Sequence, residues 1–217
     1  MLPSLPFNSK LSCSLLAPPN RNSLALACFL LHYLKREFET LFVHRFGNST
    51  MPLRNLFKNS SYYWGNAILC SYFINRPGFP SPSPLIIGAG LLLFIVSTPY
   101  RLIFLANKEH QVGELGNLQS HLTLRNLRKP GTKERNIPQG GLFQLVSCAN
   151  YTYEILGWLG FCLMTCSFAA CLFTFQGAFQ MYFWALAKHR RYRKEFNGEN
   201  GTTVYPKQRK ALVPFLV

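Results

Sequence analysis

One ionisable side chain lies inside a long apolar stretch of this chain. Positions 136–187 are almost entirely apolar and aromatic, and their one charged residue is Glu154. An ionisable group at the centre of a bilayer costs roughly 2.5 kcal/mol or more, so such a residue usually has a function. On a helix, Asn150, Glu154 and Trp158 share one face, and Tyr151 points about 100° away. The pattern predicts either a polar site in apolar surroundings or an Asn–Glu pair that joins helices.

The composition favours a polytopic membrane protein over a soluble one. Hydrophobic residues make up 48% of the 217 residues and aromatic residues 15%, whereas only 14% are charged. The net charge is +15, and basic clusters flank the apolar block at 125–135 and 188–194. These clusters fit the excess of Lys and Arg on the cytosolic side of membrane proteins, or a ligand rich in phosphate. A nucleic-acid partner is not predicted.

The cysteines and histidines predict neither a disulfide framework nor a metal site. The seven cysteines form no CxxC pair and lie mostly in apolar surroundings. We interpret them as reduced packing residues. The five histidines are scattered without the spacing of metal ligands.

Hydrophobic runs predict an all-α fold, a membrane bundle of about five helices. Residues 1–22, rich in Pro, Ser and Asn, predict a disordered arm, and residues 23–217 predict one helical catalytic domain. Apolar helices are expected near 23–34, 62–74 and 85–105, and a more polar one near 116–127. The apolar block is too long for one crossing, so we expect two helices with a tight turn near 166–170. Lys35 and Glu39, at i and i+4, are typical of a surface ion pair.

Several strings in a fixed order carry a resemblance to a known family. They are HYLKREFETLFVHRF at 32–46, TMPLRNLFKN at 50–59, LRKPG at 127–131, IPQGGLF at 137–143, VSCAN at 146–150 and RKALVPF at 209–215. Together they resemble the steroid 5-alpha-reductase family, and the first two resemble its enoyl-CoA reductase branch. The resemblance extends from about Ser23 to the C-terminus.

The resemblance implies a helical enzyme of the endoplasmic reticulum membrane, with its active face and C-terminus in the cytosol. Such an enzyme would use NADPH to reduce a trans-2-enoyl-CoA, which is the last step of very-long-chain fatty acid elongation. It would act on an acyl-CoA in contact with membrane lipid, and other enzymes of the elongation cycle are expected partners. No GxGxxG follows a strand, so the cofactor is expected among helices.

The resemblance also implies roles for individual residues. The catalytic pair of the branch falls on Tyr151 as proton donor and Lys35 as its electrostatic partner. The implied cofactor contacts are Asn117, Arg128, Asn150, Glu154, Trp158 and Tyr192, with Arg36 as a weaker candidate. His121 and Asn136 stand where the steroid branch has an acid and an arginine.

Two alternatives remain open: a steroid or polyprenol reductase of the same family, or an inactive truncated membrane homologue. Tyr151 and the string at 35–46 favour the enoyl-CoA reductase, because the steroid branch differs at both places. Compared with the family, the N-terminal membrane helices are missing and residues 97–111 are interpreted as an insertion. Pro99 and Arg101 would interrupt a spanning helix there. We therefore expect the 217-residue form to fold poorly or to lack reductase activity.

Overall fold

A computed structural model describes residues 20–44, 51–97, 117–127, 136–199 and 203–216, and over these ranges the regular structure is helical. The all-α prediction is confirmed. The described ranges contain six α-helices: α1 (Arg21–Phe38), α2 (Leu53–Asn75), α3 (Pro84–Ser97), α4 (Asn117–Asn126), α5 (Ala149–Thr165) and α6 (Phe168–Glu195). A π-helical turn, Glu39–Val43, extends α1, and a 3-10 turn, Gly141–Gln144, precedes α5.

The long apolar block divides into two helices at the predicted place. Helix α5 ends at Thr165, and Cys166 takes the left-handed conformation with φ of 47°. Its backbone N–H donates to the carbonyl of Cys162 at 2.7 Å, which closes the last turn. Helix α6 begins two residues later at Phe168, so the chain reverses over Cys166 and Ser167.

Two other boundaries differ from expectation or lie outside the described residues. Helix α2 starts at Leu53, well before the predicted 62, because the polar residues after Pro52 continue the same helix. Helix α3 is described as far as Ser97, so the rest of the interpreted insertion at 97–111 lies outside the described residues. The same holds for residues 1–19 of the N-terminal arm.

Helix α5 lies at the centre and packs against α1, α3, α4 and α6. Its contact with α3 is backbone against backbone. A Cβ atom added at Gly90 would lie 2.5 Å from the backbone nitrogen of Met164, and one at Gly160 would lie 2.6 Å from the carbonyl oxygen of Gly90. Only glycine allows this approach. Around the crossing, the ring of Trp158 meets Phe173 of α6 edge to face at 4.7 Å.

The outer surfaces of the helices carry large apolar side chains. Trp64 on α2, Leu85 on α3 and Phe168 on α6 are each at least 70% exposed. Along the ranges that the structure describes, no helix combines the length and the apolarity needed to cross a bilayer.

The C-terminal segment binds the entry to α5. The backbone of Lys210 receives a hydrogen bond from Ser147 at 2.8 Å and donates one to Leu145 at 2.9 Å. Further along, Thr152 Oγ1 donates to the carbonyl of Leu212 at 2.6 Å. These bonds fix the first turn of α5, which carries the candidate site residues.

Candidate active site

The first turns of α5 present the predicted polar face. Asn117 Nδ2, from α4, donates both to the carbonyl of Asn150 at 3.0 Å and to Glu154 Oε2 at 2.9 Å. One turn further along, Trp158 Nε1 donates to Glu154 Oε1 at 3.1 Å. Asn150, Glu154 and Trp158 therefore lie along one face, and α4 contacts its first part through Asn117.

Glu154 is held by donors from three helices. In addition to Asn117 and Trp158, His32 of α1 places its Nε2 atom 3.1 Å from Glu154 Oε1. His32 is itself buried, and its ring packs edge to face on Trp158 at 4.7 Å. A charge is tolerated in this apolar block because each carboxylate oxygen has a polar partner.

A second buried carboxylate, Glu39, lies between two cations at the end of α1. Its two oxygens are each 2.9 Å from a cation, Oε1 from Lys35 Nζ and Oε2 from Arg36 Nη1. Glu39 has 0% exposure, so the predicted surface pair is wrong. The i,i+4 spacing is local, whereas burial depends on tertiary packing: the π-helical turn that begins at Glu39 packs against α4.

The two carboxylates belong to one network. Lys35 Nζ donates to Asn117 Oδ1 at 3.1 Å, and Asn117 in turn donates to Glu154. At the other end, Arg36 Nη1 lies 2.9 Å from His121 Nε2. Burial and the nearby Arg36 hold the pKa of His121 well below its usual range, so the neutral imidazole accepts this bond. The network joins α1, α4 and α5.

Glu39 and His121 of this network, together with the nearby His44, have the chemistry of metal ligands. Donor atoms of Glu39, His44 and His121 lie within 4.8 Å of one another. Both oxygens of Glu39, however, already bind cations, and Arg36 also occupies Nε2 of His121. Two fixed positive charges would repel a metal ion there, so the arrangement fits an ion-pair cluster.

The predicted catalytic residues lie in different surroundings. Lys35 belongs to the network and contacts Glu39 and Asn117. Tyr151 faces α6, where Lys188 Nζ lies 4.5 Å from its ring centroid and the ring of Trp184 lies 6.2 Å away. Tyr192 is buried and stacks on Tyr205 of the C-terminal segment.

The structure groups most of the predicted site residues. The network contains six of them: Lys35, Arg36, Asn117, Asn150, Glu154 and Trp158. Arg128 lies outside the described residues. Sequence reasoning gave no role to His32, Glu39 or Lys188. The spacing of His32, Lys35 and Glu39 places them on one helical face, and this pattern could have predicted a polar cluster. Lys188 could not be distinguished from the other residues of its basic cluster.

Two adjoining cavities meet at Tyr151. The larger, of about 760 Å³, has aromatic walls that include Phe29, Tyr63 and Trp158. The smaller, of about 370 Å³, is lined by cationic groups, among them Arg125 and Lys188. Five residues border both cavities: Arg36, His121, Asn150, Tyr151 and Trp184. An apolar compartment and a basic one are thus joined beside a phenol.

Comparison with known proteins identifies the family of the chain. Residues 49–217 match the family described as 3-oxo-5-alpha-steroid 4-dehydrogenase. The chain belongs to that family. It is 34% identical to human 3-oxo-5-alpha-steroid 4-dehydrogenase 2, over 94% of this chain and 71% of that protein.

Relatives named for enoyl-CoA reduction are also similar to the chain. It is 48% identical to the very-long-chain enoyl-CoA reductase of Dictyostelium discoideum, over 89% of this chain and 57% of that protein. It is 34% identical to the human trans-2,3-enoyl-CoA reductase-like protein, over 89% of this chain and 49% of that protein. The chain therefore spans about half of the length of one of these relatives and less than three fifths of the other.

Proposed function

We propose that the protein reduces the carbon–carbon double bond of a trans-2-enoyl-CoA with NADPH, the last step of very-long-chain fatty acid elongation. The observation that carries this proposal is the position of Tyr151 at the junction of an apolar and a basic cavity. The 48% identity to an enoyl-CoA reductase supports it, and the steroid relative is less similar at 34%. The reaction needs such a junction, because the substrate carries an apolar acyl chain and the cofactor is a polyanion.

The smaller cavity has the chemistry of a dinucleotide site. Arg36 and Arg125 present positive charge towards it, and Tyr192 adds an aromatic surface. Cationic groups of this kind bind phosphates. When bound there, NADPH supplies a hydride. Asn150, which borders both cavities, would hold it directly. Glu154 lines the larger cavity and would reach the cofactor from there, Asn117 and Trp158 would fix Glu154, and Arg128 is retained as a further contact.

The larger cavity suits the acyl group of the substrate. Phe29, Tyr63 and Trp158 give it aromatic walls, and its volume is about 760 Å³. Lys58 and Glu37 border the same cavity near the ends of their helices, so polar groups occur on its lining as well. An apolar chain with a polar thioester end matches both parts of that lining.

Tyr151 is proposed as the acid that completes the reduction. Addition of hydride to the β-carbon leaves an enolate, whose α-carbon requires a proton from a positioned donor. The O–H bond of Tyr151 breaks and a C–H bond forms at the α-carbon. Negative charge passes from the enolate to the phenolate, and water later restores the phenol. Lys35 is included in the proposal as a residue required for turnover.

The proposal also includes the endoplasmic reticulum membrane, with several helices embedded and the basic segments in the cytosol. Exposed apolar side chains such as Trp64, Leu85 and Phe168 support contact with lipid. The basic end of α6 supports the cytosolic orientation, which is also where acyl-CoA and NADPH are available. Other enzymes of the elongation cycle are proposed neighbours.

The first prediction tests Tyr151 in the purified protein, in which turnover by the wild type would also show that the expectation of an inactive 217-residue form is wrong. Tyr151→Phe is expected to lower the turnover of a trans-2-enoyl-CoA by about 10² or more, the scale of losing a general acid. The affinity for NADPH, measured by fluorescence titration, should stay close to that of the wild type. Tyr72→Phe is the matched control, because Tyr72 is 64% exposed on α2.

Other outcomes distinguish the alternatives. Reduction of a 3-oxo-Δ4-steroid, with no turnover of the enoyl-CoA, would assign the chain to steroid chemistry. Binding of NADPH without turnover of either substrate would make it an inactive homologue. Full activity of Tyr151→Phe would remove Tyr151 from the reaction.

A further inference from the structure

Tyr151 has a cation on its ring face, and that cation belongs to α6. Lys188 Nζ lies 4.5 Å from the ring centroid, within the range of a cation–π contact. Trp184, one helical turn before Lys188, flanks the same ring at 6.2 Å. Lys188 and Tyr151 both line the smaller cavity. The ammonium and the phenol are therefore neighbours in the compartment where the chemistry is proposed.

Lys188 carries a charge that no carboxylate neutralises within the described part of the chain. Lys35 is different, because its ammonium is 2.9 Å from Glu39 and donates to Asn117 at 3.1 Å. Lys35 borders neither of the two cavities that Tyr151 lines. Its charge is paired with a fully buried carboxylate, which it shares with Arg36.

We infer that Lys188 stabilises the phenolate that Tyr151 leaves when it protonates the substrate, and that Lys35 acts indirectly by holding Asn117. This inference rests on the proposed function, in which Tyr151 is the acid. An unpaired positive charge near a developing anion favours the charged form. Both lysines are thus positioning residues, but they act through different partners. Lys188 acts through Tyr151, and Lys35 acts through Asn117 on Glu154.

Kinetics of Lys188→Met test the first half of the inference. The value of kcat with a trans-2-enoyl-CoA should fall by about tenfold or more, while the Kd for NADPH stays unchanged. Lys188→Arg keeps the charge and should restore most of the turnover. Lys194→Met, at an exposed position on the same helix, is the control and should behave like the wild type.

A double variant shows whether Lys188 acts through the phenol. If it does, adding Lys188→Met to Tyr151→Phe should cause no further loss of kcat, because the Tyr151 hydroxyl through which Lys188 acts is already absent. Additive losses would contradict the inference. So would a raised Kd for NADPH with unchanged kcat, which would make Lys188 a contact to cofactor phosphate.

Chemical modification gives a measurement that does not depend on turnover. Tetranitromethane nitrates the phenolate form of tyrosine, and the peptide that contains Tyr151 can be followed by mass spectrometry at one fixed pH. Nitration of Tyr151 should be slower in Lys188→Met and unchanged in Lys188→Arg and Lys35→Met. Tyr72, exposed on α2, serves as the internal standard.

The two proposals fail in different ways. Absence of enoyl-CoA reduction in the wild type would overturn the proposed function, and the nitration rates would still decide whether Lys188 stabilises the phenolate. Loss of activity in Tyr151→Phe with normal activity and normal nitration in Lys188→Met would overturn this inference alone. Slower nitration in Lys35→Met would assign the electrostatic role to Lys35.

Discussion

Glu154 shows how one residue connects a site to the helices around it. Its carboxylate oxygens contact His32 of α1, Asn117 of α4 and Trp158 of α5. Each contact brings a nitrogen to an oxygen, so the carboxylate acts as a common acceptor. The same side chain lines the larger cavity. Binding and helix association are therefore combined in a single group.

Replacement of Glu154 by Gln tests the structural part of that role. The amide nitrogen of the variant would face either Asn117 Nδ2 or the Trp158 indole, and two donors cannot pair. We expect the free energy of unfolding to fall by about 1–3 kcal/mol, the cost of an unsatisfied buried polar group. Denaturant unfolding in detergent measures it.

Glu195→Gln is the matched control for Glu154→Gln. Glu195 pairs with Arg191 near the end of α6, and the side chain of Arg191 is 59% exposed. Surface pairs contribute about 0–1 kcal/mol, so this change should be small. If Glu154→Gln were as stable as the control and only its affinity for NADPH fell, Glu154 would belong to the cofactor site alone.

The sequence predicts those site residues that are neighbours on one helix. Asn150, Glu154 and Trp158 follow from helical spacing, and their shared face is found in the structure. The network also needs contacts between distant segments, such as Lys35 to Asn117, which are 82 positions apart. Such a contact depends on how helices pack, and no local spacing encodes it.

Among the helices, the crossing of α3 and α5 depends on two glycines. Gly90 and Gly160 let the two backbones touch, because a Cβ at either would lie 2.5–2.6 Å from backbone atoms. Backbone atoms cannot move aside as a flexible side chain can. Phe94 and Trp158 pack beside the crossing in the same core. This contact therefore fixes the position of α5 relative to α3.

Gly90→Ala should separate α3 from α5. Overpacking of a tight core typically costs 1–3 kcal/mol, and we expect a loss of about that size in thermal or denaturant unfolding. Gly88→Ala on the same helix is the control, since nothing lies within 4 Å of its added Cβ. There the change should be stabilising by about 0.5–1 kcal/mol, the helical preference for alanine. Equal behaviour of the two variants would show that the helices do not cross here.

Helix positions are predicted better than helix contacts. The turn at Cys166 and Ser167 follows from the length of the apolar block, which cannot form one crossing. The start of α2 at Leu53 does not follow, because polar residues interrupt the apolar ones in its first two turns and the continuous apolar run begins only near Tyr62. The close crossing at Gly90 cannot be predicted from the sequence either, since the chain contains 15 glycines and no local pattern distinguishes Gly90 and Gly160 from the others.

Across the whole molecule, the C-terminal segment connects the basic end of α6 with the entry to α5. Ser147 Oγ lies 2.6 Å from His189 Nδ1 of α6 and 2.7 Å from the hydroxyl of Tyr205. Arg209 Nη1 donates to the carbonyl of Pro138 at 2.7 Å. The string at 209–215, one of those behind the family resemblance, thus supports the helix turn that carries Asn150 and Tyr151.

This connection should weaken in acid because of His189. Burial, Arg193 and Lys210 lower the pKa of His189, so its imidazole is neutral in the folded protein and can accept from Ser147. The unfolded chain takes up a proton more readily than the folded chain. The stability contributed by neutral His189 is therefore fully present above about pH 6.5, the ordinary histidine value, and is lost as the pH falls below it.

His189→Gln should remove this part of the pH dependence. The Tm of the wild type is expected to fall more between pH 7.5 and pH 5.5 than the Tm of the variant, because glutamine does not titrate. Differential scanning fluorimetry in one detergent measures both. Arg190→Gln, an exposed neighbour on the same helix, should keep the wild-type fall. If His189→Gln lost as much Tm on acidification as the wild type, the acid sensitivity would arise from other groups and Ser147 would not depend on His189.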